Sequence, residues 1–182
     1  MLTVLHPWHG AEPGNQAPEK VNALIEIPQG SRSKYEIDKH TGLLKLDRVI
    51  YSSFMYPVNY GFIPQSLGED GDPLDILVIC SQSIQPLCLV EATVIGNMQM
   101  IDQGQKDDKI IAVASNDPSV NHIQDIEDLP AHFFNELKHY FQEYKVLEEK
   151  MVEIDHFQSR TEAYRIIEEA MAYYQEKFRQ KI

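Results

Sequence analysis

The chain has 182 residues, 43% hydrophobic and 24% charged, the size and balance of one globular domain. Its formal net charge of −12, from 16 Lys and Arg against 28 Asp and Glu, excludes a broad basic surface for nucleic acid. The two cysteines, Cys80 and Cys88, lack Cys-x-x-Cys or zinc-type spacing, and no apolar run approaches the roughly 18 residues of a membrane span. Residues 1–20 hold no apolar run of signal-peptide length. The expectation is a chain of the reducing cytoplasm with neither nucleic acid nor membrane as partner.

In chain order, HPWHGAEPGNQAPEK (6–20) is rich in Pro, Gly and polar residues and predicts an irregular surface arm. His6 and His9 flank Trp8 there and read more plainly as polar decoration than as metal ligands. Short strands follow. VNALIEIP (21–28) alternates in part. SKYEID (33–38) and LLKLDRV (43–49), separated by KHTG, read as a hairpin. YPVNYGFIP (56–64) is aromatic and bounded by prolines, DILVIC (75–80) is a continuous apolar run, and CLVEATVIGNMQMID (88–102) is a long strand bent at Gly96. KIIAVA (109–114) is the last predicted strand. Many short strands with turn signals between them favour a small barrel over βαβ units.

The final third changes period. Phe134, Leu137, Phe141 and Tyr144 lie on one helical face, with Pro130 suited to the first turn. Tyr164, Ile167, Met171, Tyr174 and Phe178 lie on another. The fold class is therefore α+β: a small closed five-stranded β-barrel with flanking amphipathic helices. One domain spans 1–182, with an arm over 1–20 and a mainly helical segment over 129–182.

The densest chemical signal is GEDGDPLDILVIC (68–80), where Glu69, Asp70, Asp72 and Asp75 crowd the entrance of an apolar strand. In an extended segment Asp70 and Asp72 point to one side, and Pro73 can turn Asp75 towards them. Carboxylates held that close raise one another's pKa unless a cation neutralises them. Oxygen-only donors favour Mg²⁺, Mn²⁺ or Ca²⁺. A solvated acidic turn is the plainer reading of Asp-Gly-Asp-Pro taken alone. An EF-hand loop is excluded, since the sixth position from Asp70 is Asp75 and the twelfth is Ser81, where Gly and Glu are required. Asp102 and Asp107 flank a second loop, and Lys109 opens the next strand. Lys34 and Glu36 share one strand face, Arg48 sits in the neighbouring strand, and Lys145 follows Tyr144 in the last turns of the first long helix. Each reads singly as a surface charge. Together they offer donors for phosphate oxygens.

The ordered set IEIP, KYEID, a downstream DR, YPVNYGFIP, DGDPLDILV, MID…DDK and a YK pair resembles soluble family I inorganic pyrophosphatase in its shorter prokaryotic form. The resemblance covers about residues 21–150. It implies a five-stranded barrel related to the OB-fold and hydrolysis of pyrophosphate to orthophosphate. It implies several Mg²⁺ ions per site, with Mn²⁺ as an alternative and Ca²⁺ as an inhibitor. Carried over by position, Asp70, Asp75 and Asp107 are implied as direct metal ligands, and Asp102 joins Asp107 at a metal arriving with substrate. Glu26 and Glu36 are implied to hold metal-bound water, and Asp72 to act as general base. Lys34, Arg48, Tyr144 and Lys145 are implied to cradle one phosphate, Tyr60 and Lys109 the other, with Tyr56 close by. A homo-oligomer is implied, a hexamer built from trimers, with the helix face near His139 and Glu143 as part of the contact.

The arm before residue 21 and the region after Asp155 match the resemblance only loosely. Two other readings stand beside it. A different metal-dependent phosphohydrolase is one, although no Gly-x-x-x-x-Gly-Lys loop is present. A non-catalytic OB-type binding module is the other, against which the acidic balance argues.

Overall fold

A computed structural model describes residues 6–178; the first five positions of the expected arm and residues 179–182 of the last expected helix lie outside that range. The strands are β1 (Lys20–Ile27), β2 (Ser33–Ile37), β3 (Leu44–Val49), β4 (Asn59–Phe62), β5 (Asp75–Ile79), β6 (Leu89–Asp102), β7 (Gln105–Lys106), β8 (Lys109–Ala114) and β9 (Val152–Ser159). The helices are α1 (Pro7–Gly10), α2 (Ala131–Glu143) and α3 (Arg160–Phe178).

Five strands close into a ring. β1 pairs antiparallel with both β4 and β6, β4 with β5, and β6 with β8, while β5 and β8 run parallel. β8 reads KIIAVA and is buried along its whole length, as a continuous apolar run between two strands should be. β6 serves two neighbours. Its first half pairs with β1 and its second half with β9, and its register with β8 shifts between Val94 and Gly96. The bend expected at Gly96 is real: a Cβ there would stand 2.6 Å from the Gln158 carbonyl. β2 and β3 form a separate hairpin.

Alternate residues of the ring strands feed two apolar clusters. Leu77, Ile111 and Val113 pack with Leu137 and Phe141 of α2. Ile76, Ile110 and Ala112 pack with Ile166 and Ile167 of α3. Each such large side chain stabilises the fold by about 1.5–3 kcal/mol when fully buried.

Several expectations are corrected. The arm is not merely irregular: it forms the α1 turn and buries Trp8 at 4% exposure. The 129–182 segment contains a strand, β9, which alternates buried Val152 and Ile154 with exposed Glu153 and Asp155 and pairs with β6. On α2, Tyr140 joins the buried face and Phe134 is only half-buried. On α3 the buried stripe is Ala163, Ile166, Ile167, Ala170 and Tyr174, so small residues let the helix approach the sheet, and Tyr164 and Met171 sit at its margin. Pro130 precedes the first turn of α2 as its N-cap, and Lys145 lies beyond the end of that helix.

Candidate active site

The 68–75 loop is a compact turn rather than an extended segment. The Gly68 N–H donates to the Asp72 carbonyl at 2.7 Å, the Gly71 N–H to the Gly68 carbonyl at 3.2 Å, and the Asp72 N–H to Asp70 Oδ1 at 3.0 Å. Gly71 adopts φ +85°, a conformation that glycine supplies without steric cost. Turning, not strand alternation, brings the three aspartates to one place.

They face a cavity of about 540 Å³. Its wall contains Glu26, Lys34, Glu36, Tyr60, Asp70 and Asp72, and then Asp75, Asp102, Asp107, Lys109, Tyr144 and Lys145. Of the residues expected at the site, only Arg48 and Tyr56 are not in that wall. Arg48 is held by Asp47 at 2.5 Å and by Glu148 at 2.8 Å. Tyr56 lies behind it, its ring edge-on to Tyr60 with centroids 5.5 Å apart.

Strand register places the central group. β5 and β8 run parallel with Asp75 opposite Lys109, so both side chains enter the cleft from the same end of the ring. Lys109 Nζ donates to Asp75 Oδ2 at 2.6 Å and to Asp107 Oδ1 at 2.9 Å. Tyr60 OH donates to Asp75 Oδ2 at 2.5 Å. Lys145 Nζ donates to Asp102 Oδ2 at 2.5 Å, Lys34 pairs with Glu36 at 3.3 Å, and Lys39 pairs with Asp72. Glu26 Oε1 accepts from the Ile37 N–H at 2.7 Å, tying the hairpin to β1.

Burial dominates the electrostatics. It pushes the Glu26 carboxyl up to about 8, with the Asp75 charge adding to the effect. Burial also raises Asp70 and Asp107, reinforced by Asp72 and Asp107 at the first and by Asp75 and Asp102 at the second. For Lys109 burial acts in the opposite direction, but Asp107 and Asp75 outweigh it and hold the ammonium well above its ordinary range. Burial keeps the Tyr60 and Tyr144 phenols protonated, hence as donors.

Among the described residues no three carboxylate, imidazole or thiol groups are already gathered at metal-binding spacing. The donor set nevertheless fits hard divalent cations. Asp102 Oδ1 is buried without a hydrogen-bond donor, and Asp102 lines, with Asp70 and Asp107, a smaller cavity of about 310 Å³. Asp70 and Asp107, whose proton affinity burial raises, are oxygen donors of the kind that Mg²⁺-type ions relieve.

Sequence reasoning missed four participants. Lys39 pairs with Asp72 from the hairpin turn, Asp47 bridges Lys34 and Arg48, Glu148 braces Arg48, and Trp8 contributes to the cleft wall. Asp47 and Lys39 lie beside motif residues and carried a weak signal. Glu148 and Trp8 carried none, because their partners are remote in sequence.

Ring and cleft define a class of α+β protein: five closed strands carrying an acid-lined, lysine-bearing pocket at one end. A family model described as inorganic pyrophosphatase matches residues 23–175. Soluble inorganic pyrophosphatase 2 of Chlamydomonas reinhardtii is 49% identical over 176 residues, 97% of this chain and 92% of that protein. Soluble inorganic pyrophosphatase of Oryza sativa subsp. indica is 50% identical over 169 residues, 93% of this chain and 79% of that one. The crystal structure of inorganic pyrophosphatase from Thermus thermophilus matches with TM-score 0.90 at 39% identity, covering 93% of this chain and 99% of that one. The chain belongs to the inorganic pyrophosphatase family. The match runs past residue 150, so β9 and most of α3 fall within the family region.

Proposed function

We propose that the cleft hydrolyses pyrophosphate to two orthophosphates with Mg²⁺ as the resident cation. The observation that carries this reading is one cavity that joins Asp70, Asp72, Asp75, Asp102 and Asp107 with Lys34, Lys109, Lys145, Tyr60 and Tyr144. An anionic substrate enters a protein of charge −12 only where local cations outweigh that field.

Asp70, Asp75 and Asp107 are the direct ligands in this reading, and Asp102 with Asp107 receives a metal that comes with substrate. Glu26 and Glu36 support from the next layer out. Bound Mg²⁺ would neutralise phosphate oxygens and lower the pKa of the attacking water. Mn²⁺ substitutes for it and Ca²⁺ inhibits. The chain's own groups do the rest. Asp72, its side chain 49% exposed at the mouth of the cleft, accepts the proton of the attacking water. Lys34, Tyr144 and Lys145 hold one phosphate, with Arg48 behind them; Lys109 and Tyr60 hold the other. As the water oxygen bonds to one phosphorus, the bridging P–O bond breaks and the leaving phosphate departs with its electron pair.

The enzyme works in the cytoplasm as a homo-oligomer, a hexamer of two trimers. The α2 face bearing the exposed His139 and Glu143 forms part of the contact in this reading. The test of function is phosphate release from pyrophosphate with Mg²⁺, with excess chelator and with Ca²⁺, taking ATP as control substrate. Fast Mg²⁺-dependent release with little ATP cleavage is expected; no release with any metal from folded protein would overturn the reading. Light scattering coupled to size exclusion tests the assembly.

A further inference from the structure

The α1 turn touches three separate parts of the molecule, two of which border the cleft. Trp8 is the only tryptophan of the chain. Its Nε1 donates to the Ser66 carbonyl at 2.8 Å, and the Gln65 N–H donates back to the Trp8 carbonyl at 2.9 Å. Gln65 adopts φ +52°, which a non-glycine residue keeps only where its surroundings hold it. Ser66 in turn joins the chain entering the acidic loop to the loop's far end: its Oγ donates to the Ile63 carbonyl at 2.6 Å and accepts from the Leu74 N–H at 2.9 Å. Leu74 immediately precedes Asp75.

On its second side the turn meets the hairpin. His6 Nε2 lies 3.2 Å from the Lys39 carbonyl, and a Cβ on Gly42 would stand 2.9 Å from Pro7 Cδ. Lys39 is the residue whose ammonium pairs with Asp72. On its third side the turn is anchored to α3. His9 Nδ1 lies 2.7 Å from Tyr174 OH, and the Trp8 ring packs edge-on against Phe178 with centroids 5.5 Å apart.

We propose that α1 is a latch and Trp8 a positioning residue: together they hold the acidic loop and the hairpin turn at the spacing where Asp70, Asp72 and Asp75 face one cleft. The proposal rests on the pyrophosphatase reading above. Like charges in a short loop repel, and the loop loses conformational freedom when it gathers them round a cation. A latch that has already ordered the loop lowers that cost. Its effect therefore falls on metal affinity; at saturating Mg²⁺ the loop is ordered with or without the latch, and proton transfer at Asp72 is left nearly unchanged.

Trp8→Phe keeps an aromatic ring in place but removes the donor to Ser66. Calorimetric titration with Mg²⁺ alone, without substrate, should show affinity about 3- to 10-fold weaker than in the parent protein, because the bond it loses orders the loop. The Mg²⁺ concentration for half-maximal pyrophosphate hydrolysis should rise by a similar factor, with kcat changed less than about twofold. In the parent protein, Trp8 fluorescence should shift on Mg²⁺ addition. Unchanged Mg²⁺ affinity in a folded Trp8→Phe protein, or a fall in kcat with Mg²⁺ affinity intact, would overturn the latch. Should Trp8→Phe fail to fold, His6→Ala, which removes the hairpin contact and the packing of His6 on His9 but leaves the Trp8–Ser66 bond, decides by the same titration. A parent protein that releases no phosphate counts against the pyrophosphatase reading, whereas an active parent with an indistinguishable variant counts against the latch alone.

Discussion

Lys109 Nζ lies 2.6 Å from Asp75 Oδ2, across a parallel strand pair in which the two residues are register partners. The lysine side chain is 3% exposed and also meets Asp107 at 2.9 Å. Removing one partner of a buried ion pair costs about 3–5 kcal/mol, because the remaining charges are left uncompensated. Lys109→Met should therefore lower the melting temperature of the metal-free protein by roughly 10 °C. Mg²⁺ should restore part of that loss, since it neutralises the same carboxylates. Thermal melts with chelator and with Mg²⁺ measure both effects. An unchanged metal-free melting temperature would show that the pair contributes nothing.

Asp72 differs from its neighbours. Its side chain is half exposed and its ion pair with Lys39 is a surface contact, of a kind that contributes little to stability. Asp72→Asn should keep the fold and Mg²⁺ binding while turnover drops by roughly 10²-fold or more, the share of a general base. Near-parental turnover in a folded variant would remove Asp72 from that role.

Glu26 makes the stability of the metal-free protein depend on pH. Burial raises its carboxyl to about 8 in the folded state. Between the ordinary carboxylate range and that value, the folded chain keeps a proton that the unfolded chain has released. The folded state therefore loses stability as pH rises through this window. Glu26→Gln mimics the protonated form and can still accept from the Ile37 N–H. In chelator, the variant should match the parent near pH 4 and exceed it by on the order of 2–4 kcal/mol at pH 8. Urea unfolding across that range is the measurement, and a gap that fails to widen with pH would refute the burial argument.

Ring closure between β1 and β4 depends on Gly61. A Cβ there would lie 1.9 Å from the Leu24 carbonyl oxygen, a backbone atom that cannot swing aside. Gly61→Ala should destabilise by more than about 3 kcal/mol and accumulate as insoluble protein. Soluble expression with parental melting would show that the strands can part without penalty.

Much of this architecture was legible in the chain. KIIAVA, DILVIC and the KHTG hairpin announce their elements through local burial patterns, and the aspartates around Gly71 announce a turn that gathers charge. β9 was legible too, in the alternation of VEID, but the amphipathic helices on either side masked so short a signal. The burial of Trp8 was not legible, because a lone aromatic in a polar, proline-rich arm looks the same whether or not a groove awaits it.

By itself the sequence determined the types of donor, the local periodicities and the order of motifs that mark the family, because those depend on near neighbours along the chain. Only the tertiary structure decided which groups meet. Asp75 and Lys109 stand 34 positions apart and Trp8 and Ser66 stand 58 apart. Their meeting depends on how β5 registers against β8 and where the closed ring leaves room for the arm. Strand register over such separations is chosen by the packing of the whole ring, which no local pattern encodes.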